Sequence, residues 1–460
     1  MIHQDSFGCD TALSQKEALE HWNNAIIGFL AHSASTAHHL SETLKIAPDF
    51  VLGHTFRGFA NLLLCRRELI ANAHDAFTTA QNIAKQKSFN QRESDFLQAL
   101  EQWLKGKPSQ SVCTIEKILV RTPHDPLAMK LSQAIQFILG DIHGMRRSTE
   151  KLINSYDTNH PAYGYFMGCY AFCLEETGEY QQAESYGRKG LEFSPDDAWG
   201  LHAVAHVYDM TANSKTGVQW LNGQEHAWRH CNNFRYHVWW HLALMHLDLG
   251  DVDSVLNLYD TEIRNEKTDD YRDISNATSL LMRLELEGVN VGKRWEELAE
   301  ISEKRTDDTT LAFADLHYML ALCGGQKKDA AAQLIHNMQI CDNSQSDTAC
   351  VISDPGLIAA KGLEAFHNED YKNAYSCLSQ ARGHMQHIGG SHAQRDVFER
   401  ITIEAALKAS LPKQAHSLLQ DRDKHRGFQD GYSLKRYAVV EHMLQAYSEH
   451  KSEDAMANIV

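Results

Sequence analysis

The chain has 460 residues, 43% of them hydrophobic and 23% charged, with only 8 prolines, the profile of a folded protein rather than a disordered or fibrous one. Its formal charge of −16, with no basic run to offset it, argues against binding that rests on neutralising a nucleic-acid backbone. No apolar stretch approaches the roughly 18–20 residues that span a bilayer, the polar start MIHQDSFGCD does not read as a secretory signal, and ten cysteines without a C-x-x-C read as reduced thiols; a cytoplasmic protein with neither membrane nor nucleic-acid partner is expected.

Taken in chain order, the segment LSETLKIAPDF places Leu40, Leu44 and Pro48 where the second helix of a hairpin closes, giving a repeat-like unit around residues 20–48. Pro48, Pro123, Pro126, Pro161 and Pro195 each follow an apolar-periodic run, and no period-2 pattern of β-branched residues competes with the helices. The clearest unit is 164–197, GYFMGCYAFCLEETGEYQQAESYGRKGLEFSPDD. Its Met167, Tyr170, Ala171, Leu174, Ala183, Gly187 and Pro195 fit the helix-turn-helix spacing of the tetratricopeptide repeat, which has a period of roughly 34 residues. Ala171 and Ala183 are small enough for two antiparallel helices to approach closely, and Gly178-Glu179-Tyr180 supplies the turn.

The next helix reads GLHAVAHVYDM, with His202, His206 and Asp209 on one face and Val204 and Val207 on the other. A further unit at 236–262 contains RYHVWWHLALMH, where His237 and His241 share a face while Trp239, Leu242 and His246 take the packing slots. Fainter units follow at 311–337, 355–382 and 396–422. Stacking of such pairs buries the face that each leaves uncovered, so the expected fold is an all-α helical-repeat solenoid of tetratricopeptide-like helix pairs, continuous over residues 1–460. Three stretches break the spacing, Gly223 to Arg235, Glu262 to Asp273 and Cys341 to Asp354, and such insertions tend to collect on one face.

First helices of successive repeats line the concave side of a solenoid, so His202, His206, His237 and His241 are expected to converge there, with Asp209 beside them. Three uses remain open: ligation of a transition metal such as zinc, iron or manganese, contact with a peptide or small ligand, or a polar network lining a groove. Ala203 stands where the H-E-x-x-H motif needs Glu, so no protease signature is present. The segment GGSHAQRDVFER adds a capping box, Ser391 with Gln394, which starts a helix whose first turn carries His392, Arg395 and Asp396. That turn is a candidate site for an anion or carboxylate.

The stretches DDAWGLHAVAHVYDM, YHVWWHLALMHLDLGD, SLLMRLELEGVNVGKRWEELA, FADLHYMLAL and IGGSHAQRDVFER, in this order, resemble the tetratricopeptide repeat protein 38 family over nearly the whole chain. The resemblance implies an all-helical, solenoid-like soluble protein and carries over no activity or site residue. The turn TANSKTG departs from the repeat pattern in lacking the glycine expected at the repeat turn. Two functions follow as expectations: a scaffold whose concave groove binds a protein or peptide partner, or a metal- or small-ligand-binding protein or enzyme built on the histidine cluster.

Overall fold

The computed structural model describes residues 3–87, 89–341 and 346–457. Among these, strands are confined to an antiparallel hairpin, β1 (His3–Gln4) with β2 (Asp10–Thr11). Helices make up the rest of the regular structure. The first third holds α1 (Lys16–Leu30), α2 (Thr36–Ile46), α3 (Val51–Leu63), α4 (Arg67–Ala84), α5 (Gln91–Leu104), α6 (Pro108–Arg121), α7 (Pro126–Ile138) and α8 (Ile142–Leu152). The middle holds α9 (Tyr163–Glu176), α10 (Tyr180–Phe193), α11 (Ala198–Met210), α12 (Ser214–Leu221), α13 (Phe234–Asp248), α14 (Val252–Leu258), α15 (Tyr271–Leu286) and α16 (Arg294–Glu303). The last third holds α17 (Ala312–Gly324), α18 (Lys328–Ile340), α19 (Asp347–Val351), α20 (Leu357–His367), α21 (Tyr371–Arg382), α22 (His392–Lys408), α23 (Pro412–Arg426) and α24 (Gly431–Ala457).

The fold is an all-α solenoid of helix pairs. Pairs α1–α2, α9–α10, α13–α14, α17–α18, α20–α21 and α22–α23 occupy the six stretches marked by the sequence pattern, and α3–α4 and α5–α6 continue the pairing where the pattern is too faint to read. Local chemistry sets the ends. Gly178 takes φ +85° between α9 and α10, and in TANSKTG the missing glycine is replaced by Ala212 held at φ +53°, a conformation that costs an alanine about 1 kcal/mol. The turn therefore closes without glycine. Ser391 and Gln394 form both bonds of the capping box that opens α22.

Inner and outer helices bury different amounts of surface. All residues of α9 and nearly all of α11 are buried, whereas α10 buries only the stripe Ala183, Gly187 and Gly190. A helix apolar all round needs neighbours on every side, and α9 has them in α8, α10 and α11, while α11 also meets α13 and α22. The concave side is thus covered by protein rather than left as an open trough. The backbones of α9 and α11 approach closely at Gly168 and Gly200, where a Cβ on either would lie 2.9–3.0 Å from the other's Cα. About two turns further along, the same approach brings Glu175 against His206.

The three insertions close the superhelix. In Gly223 to Arg235, the carbonyl of His230 accepts from the Ala34 amide at 3.1 Å and the Asn232 amide donates to the His32 carbonyl at 2.8 Å. In Glu262 to Asp273, Asp269 accepts from Arg66 at 2.9 and 3.0 Å and from Arg305 at 2.5 Å. In Cys341 to Asp354, of which residues 342–345 lie outside the described residues, Asp347 accepts from the Ser109 amide at 2.9 Å. Each insertion reaches the first third of the chain, at the α1–α2 loop, at Arg66 before α4 and at Ser109 of α6, and residues of all three thirds line one cavity.

Asp197, which precedes α11, is 1% exposed and forms no ion pair among the described residues. Burial pushes its pKa up to about 7, against the opposing pull of Lys130. Between the ordinary carboxylate pKa and 7 the unfolded chain gives up this proton and the folded chain keeps it, so stability falls as pH rises through that window, by up to about 1.4 kcal/mol per pH unit. Asp197→Asn cannot titrate. Its stability relative to wild type, read as a urea midpoint, is expected to improve from pH 4 to pH 8; a constant difference would refute the assignment.

A four-histidine cluster beside an interior cavity

His202 and His206 on α11 meet His237 and His241 on α13, and one ring nitrogen from each lies within 4.8 Å of the others. The Nε2 atoms form a chain: His206 to His202 at 2.9 Å, His202 to His237 at 3.1 Å and His237 to His241 at 3.2 Å. Four nitrogens held about 2 Å from one tetrahedral ion sit about 3.3 Å apart. His206 and His241 are 0% exposed, His202 2% and His237 9%.

Hydrogen bonding alone does not satisfy this cluster. Nδ1 of His237 donates to Oδ1 of Asn276 at 2.8 Å, and Nδ1 of His206 lies 3.3 Å from Glu175 and 3.9 Å from Glu176. With their hydrogens on Nδ1, both rings turn a bare Nε2 inward. Hydrogens on Nε2 of His202 and His241 can then serve His206 and His237, and the His202–His237 contact is left without a proton of its own. If His206 is instead doubly protonated, His202 accepts from it and presents a lone pair to the lone pair of His237. Nδ1 of His202 and of His241 have no partner among the described residues.

Electrostatics divides the four rings. Burial, reinforced by the neighbouring imidazoles, drives His202 and His241 well below the usual histidine pKa, and burial lowers His237 to about 3. These three are neutral at pH 7, the form that ligates metals. For His206 burial also disfavours the cation, but the carboxylates of Glu175 and Glu176 outweigh it and raise its pKa. Both glutamates are buried, and burial raises their own pKa values against the pull of His206 on Glu175 and of Arg395 on Glu176.

The turn that opens α22 reaches the same place from the other end of the chain. The His392 amide donates to Glu176 Oε1 at 2.9 Å and its ring nitrogen Nε2 bonds the Glu176 carbonyl at 2.9 Å, while Arg395 stands 3.9 Å from the Glu176 carboxylate. His392 and Arg395 therefore brace the acid behind His206. Asp396 faces away, accepting from Arg422 and Arg400 at 2.7 Å each. Asp209, expected beside the histidines, instead accepts from Arg426 at 3.2 Å. The carboxylates that do reach the cluster, Glu175 and Glu176, looked in the sequence like the end of a repeat helix before its turn; their visible signal is two acids closing an otherwise apolar helix.

His246 and Trp239 depart from expectation as well. Trp240, not Trp239, is the fully buried ring, and His246 is partly exposed and hydrogen-bonded to Asp251 at 3.0 Å. Leu242 is buried as expected, whereas the other two slots belong to Trp240 and Met245, one residue away, a step that on a helix turns a side chain by about 100°.

His202 and His237 form part of the wall of a cavity of about 930 Å³. Its mouth carries the exposed Ala37, Ser41, Arg57, Asn72, Asp75 and Thr79 of α2, α3 and α4. Its inner wall is aromatic, with the His32 ring stacked at 5.3 Å on Trp199 and at 4.5 Å on Phe234, and Phe172 4.6 Å from Trp199. The volume falls within the range of small-molecule sites, roughly 300–1,000 Å³. No described helix is long and apolar enough to cross a membrane.

No known family model matches the chain. Among solved structures, a human IFIT1 dimer with PPP-AAAA is similar at 13% identity over 94% of this chain and 96% of that one, with a TM-score of 0.39. A human IFIT1 dimer with m7Gppp-AAAA follows at 13% identity over 86% and 90%, TM-score 0.35. The structure of Naa15/Naa10 bound to HypK-THB matches at 10% identity over 94% of this chain and 71% of that one, TM-score 0.27.

Proposed function

We propose that this helical-repeat protein binds a transition-metal ion through His202, His206, His237 and His241 and receives a ligand in the cavity beside it. The observation that carries this reading is the convergence of four buried Nε2 atoms at about the spacing of nitrogens around one tetrahedral ion, which would accept all four lone pairs. Glu175 and Asn276 stand behind two of the rings as the outer partners that orient ligating histidines. Four nitrogens complete a zinc shell; iron, manganese, nickel or copper would keep further positions, and His202 and His237 border the cavity on which those positions would open.

The test is metal analysis of protein purified without chelator and without a histidine tag. One equivalent of metal per chain is expected, falling below a tenth in His202→Ala and His206→Ala. Wild-type protein that stays metal-free after incubation with zinc, nickel, iron(II) and manganese would sink the reading.

A peptide or protein partner is the second reading, favoured by the solvent-exposed residues of α2, α3 and α4 at the mouth of the cavity. It predicts a partner whose capture from extract weakens when Ala37 and Ser41 are replaced by Trp, with metal content unchanged.

A further inference from the structure

We infer that the cavity selects an organic anion with an apolar or aromatic body, and that Lys130 holds its charged group. This rests on the reading of the cavity as a ligand site, not on the metal. Lys130, on α7, is 5% exposed and lines the cavity. Its Nζ donates to His32 Nε2 at 3.1 Å and to Cys169 Sγ at 3.9 Å and lies 4.8 Å from the centre of the Trp199 ring. None of these partners is an anion, and Lys130 makes no ion pair among the described residues.

A buried ammonium without a counter-ion is costly, so a cavity that presents one gains most from a ligand that brings the missing charge. The His32 ring accepts rather than competes as a cation, because burial, and next Lys130 itself, drives its pKa well below the usual value. Asp197 acts on Lys130 only through space and forms no ion pair with it among the described residues, and burial opposes the charge on its carboxyl. The rest of the lining agrees. In a chain of net charge −16 the cavity has three cationic residues, Arg57, Lys130 and Arg272, against the single acid Asp75 at its mouth. Arg272 is already paired, with Asp270 at 2.6 Å, which leaves Lys130 as the unpaired charge of the inner wall. Trp199, Phe234, Phe137 and Phe313 in the lining supply apolar ring surface for the ligand body.

The test uses two fluorescent probes of one shape, 1-anilinonaphthalene-8-sulfonate and its uncharged counterpart N-phenyl-1-naphthylamine, titrated into the full-length protein. Lys130→Met is expected to weaken the sulfonate about tenfold, the worth of a charge-assisted bond, and to leave the neutral probe within twofold, which also reports an intact cavity. Lys130→Arg is expected to keep most of the sulfonate affinity. Equal responses of the two probes, or no binding of the sulfonate to wild type, would overturn the proposal. Chelator-treated wild-type and Lys130→Met protein separate the two readings: the contrast between the two probes is expected to persist in metal-free protein, whether or not the histidines hold an ion.

Discussion

His241→Leu is expected to abolish metal-induced stabilisation while leaving the metal-free protein as stable as wild type or slightly more so. The wild-type ring is 0% exposed, its Nδ1 has no partner among the described residues, and its Nε2 meets only the bare Nε2 of His237 at 3.2 Å. Replacing a poorly satisfied buried polar ring by an apolar side chain of similar size is close to neutral or favourable. Metal acts differently. An ion that binds only the folded chain adds roughly 4 kcal/mol at a thousandfold excess over its Kd, and losing one of four ligands removes most of that. Thermal unfolding of wild type and variant, each with and without zinc, gives four numbers. If the histidines were instead a structural hydrogen-bond network, the metal-free variant would lose about 1–3 kcal/mol and zinc would shift neither protein.

The helix pairs and the two histidine pairs were legible because both follow from local spacing. Ala171, Ala183 and Gly178 recur at the offsets that two packed helices and a turn require, and i, i+4 histidines share a face on any helix. What surrounds the histidines was not legible, since it is assembled by contacts over long sequence separations. Glu176 is capped by His392 and Asp209 is claimed by Arg426, each more than 200 residues away. The closure that turns a groove into a cavity depends on insertions whose sequences, such as HCNN at 230–233, carry no periodic signal. Lys130 did leave a trace, a single lysine inside the apolar run of α7, PLAMKLSQAIQFI. A charge at such a position calls for a partner or a ligand.

Asp396→Ala is expected to destabilise the fold by about 3–5 kcal/mol, the usual cost of stripping one partner from a buried ion pair, without changing the metal content of the protein that folds. Asp396 looked like part of an anion-binding turn together with His392 and Arg395. Its carboxylate instead accepts from Arg422 at 2.7 and 3.2 Å and from Arg400 at 2.7 Å, with Arg283 4.0 Å away. Arg422 is 4% exposed and Arg283 1%, so removing the acid leaves Arg422 and Arg400 to share Asp430 and leaves Arg283 without its nearest carboxylate. The pH dependence follows from the same geometry. Burial opposes the charge on Asp396, but Arg422 and Arg400 outweigh it and hold its pKa well below the usual value. A depressed pKa contributes stability above the unfolded value, about 4, and loses it as pH falls below that point. The gap between wild type and Asp396→Ala in urea midpoint should therefore be full at pH 7 and narrow below pH 4. A gap that persists unchanged at pH 3, or loss of metal from folded Asp396→Ala protein, would return Asp396 to the site and remove it from the arginine cluster that fastens α22 to α23.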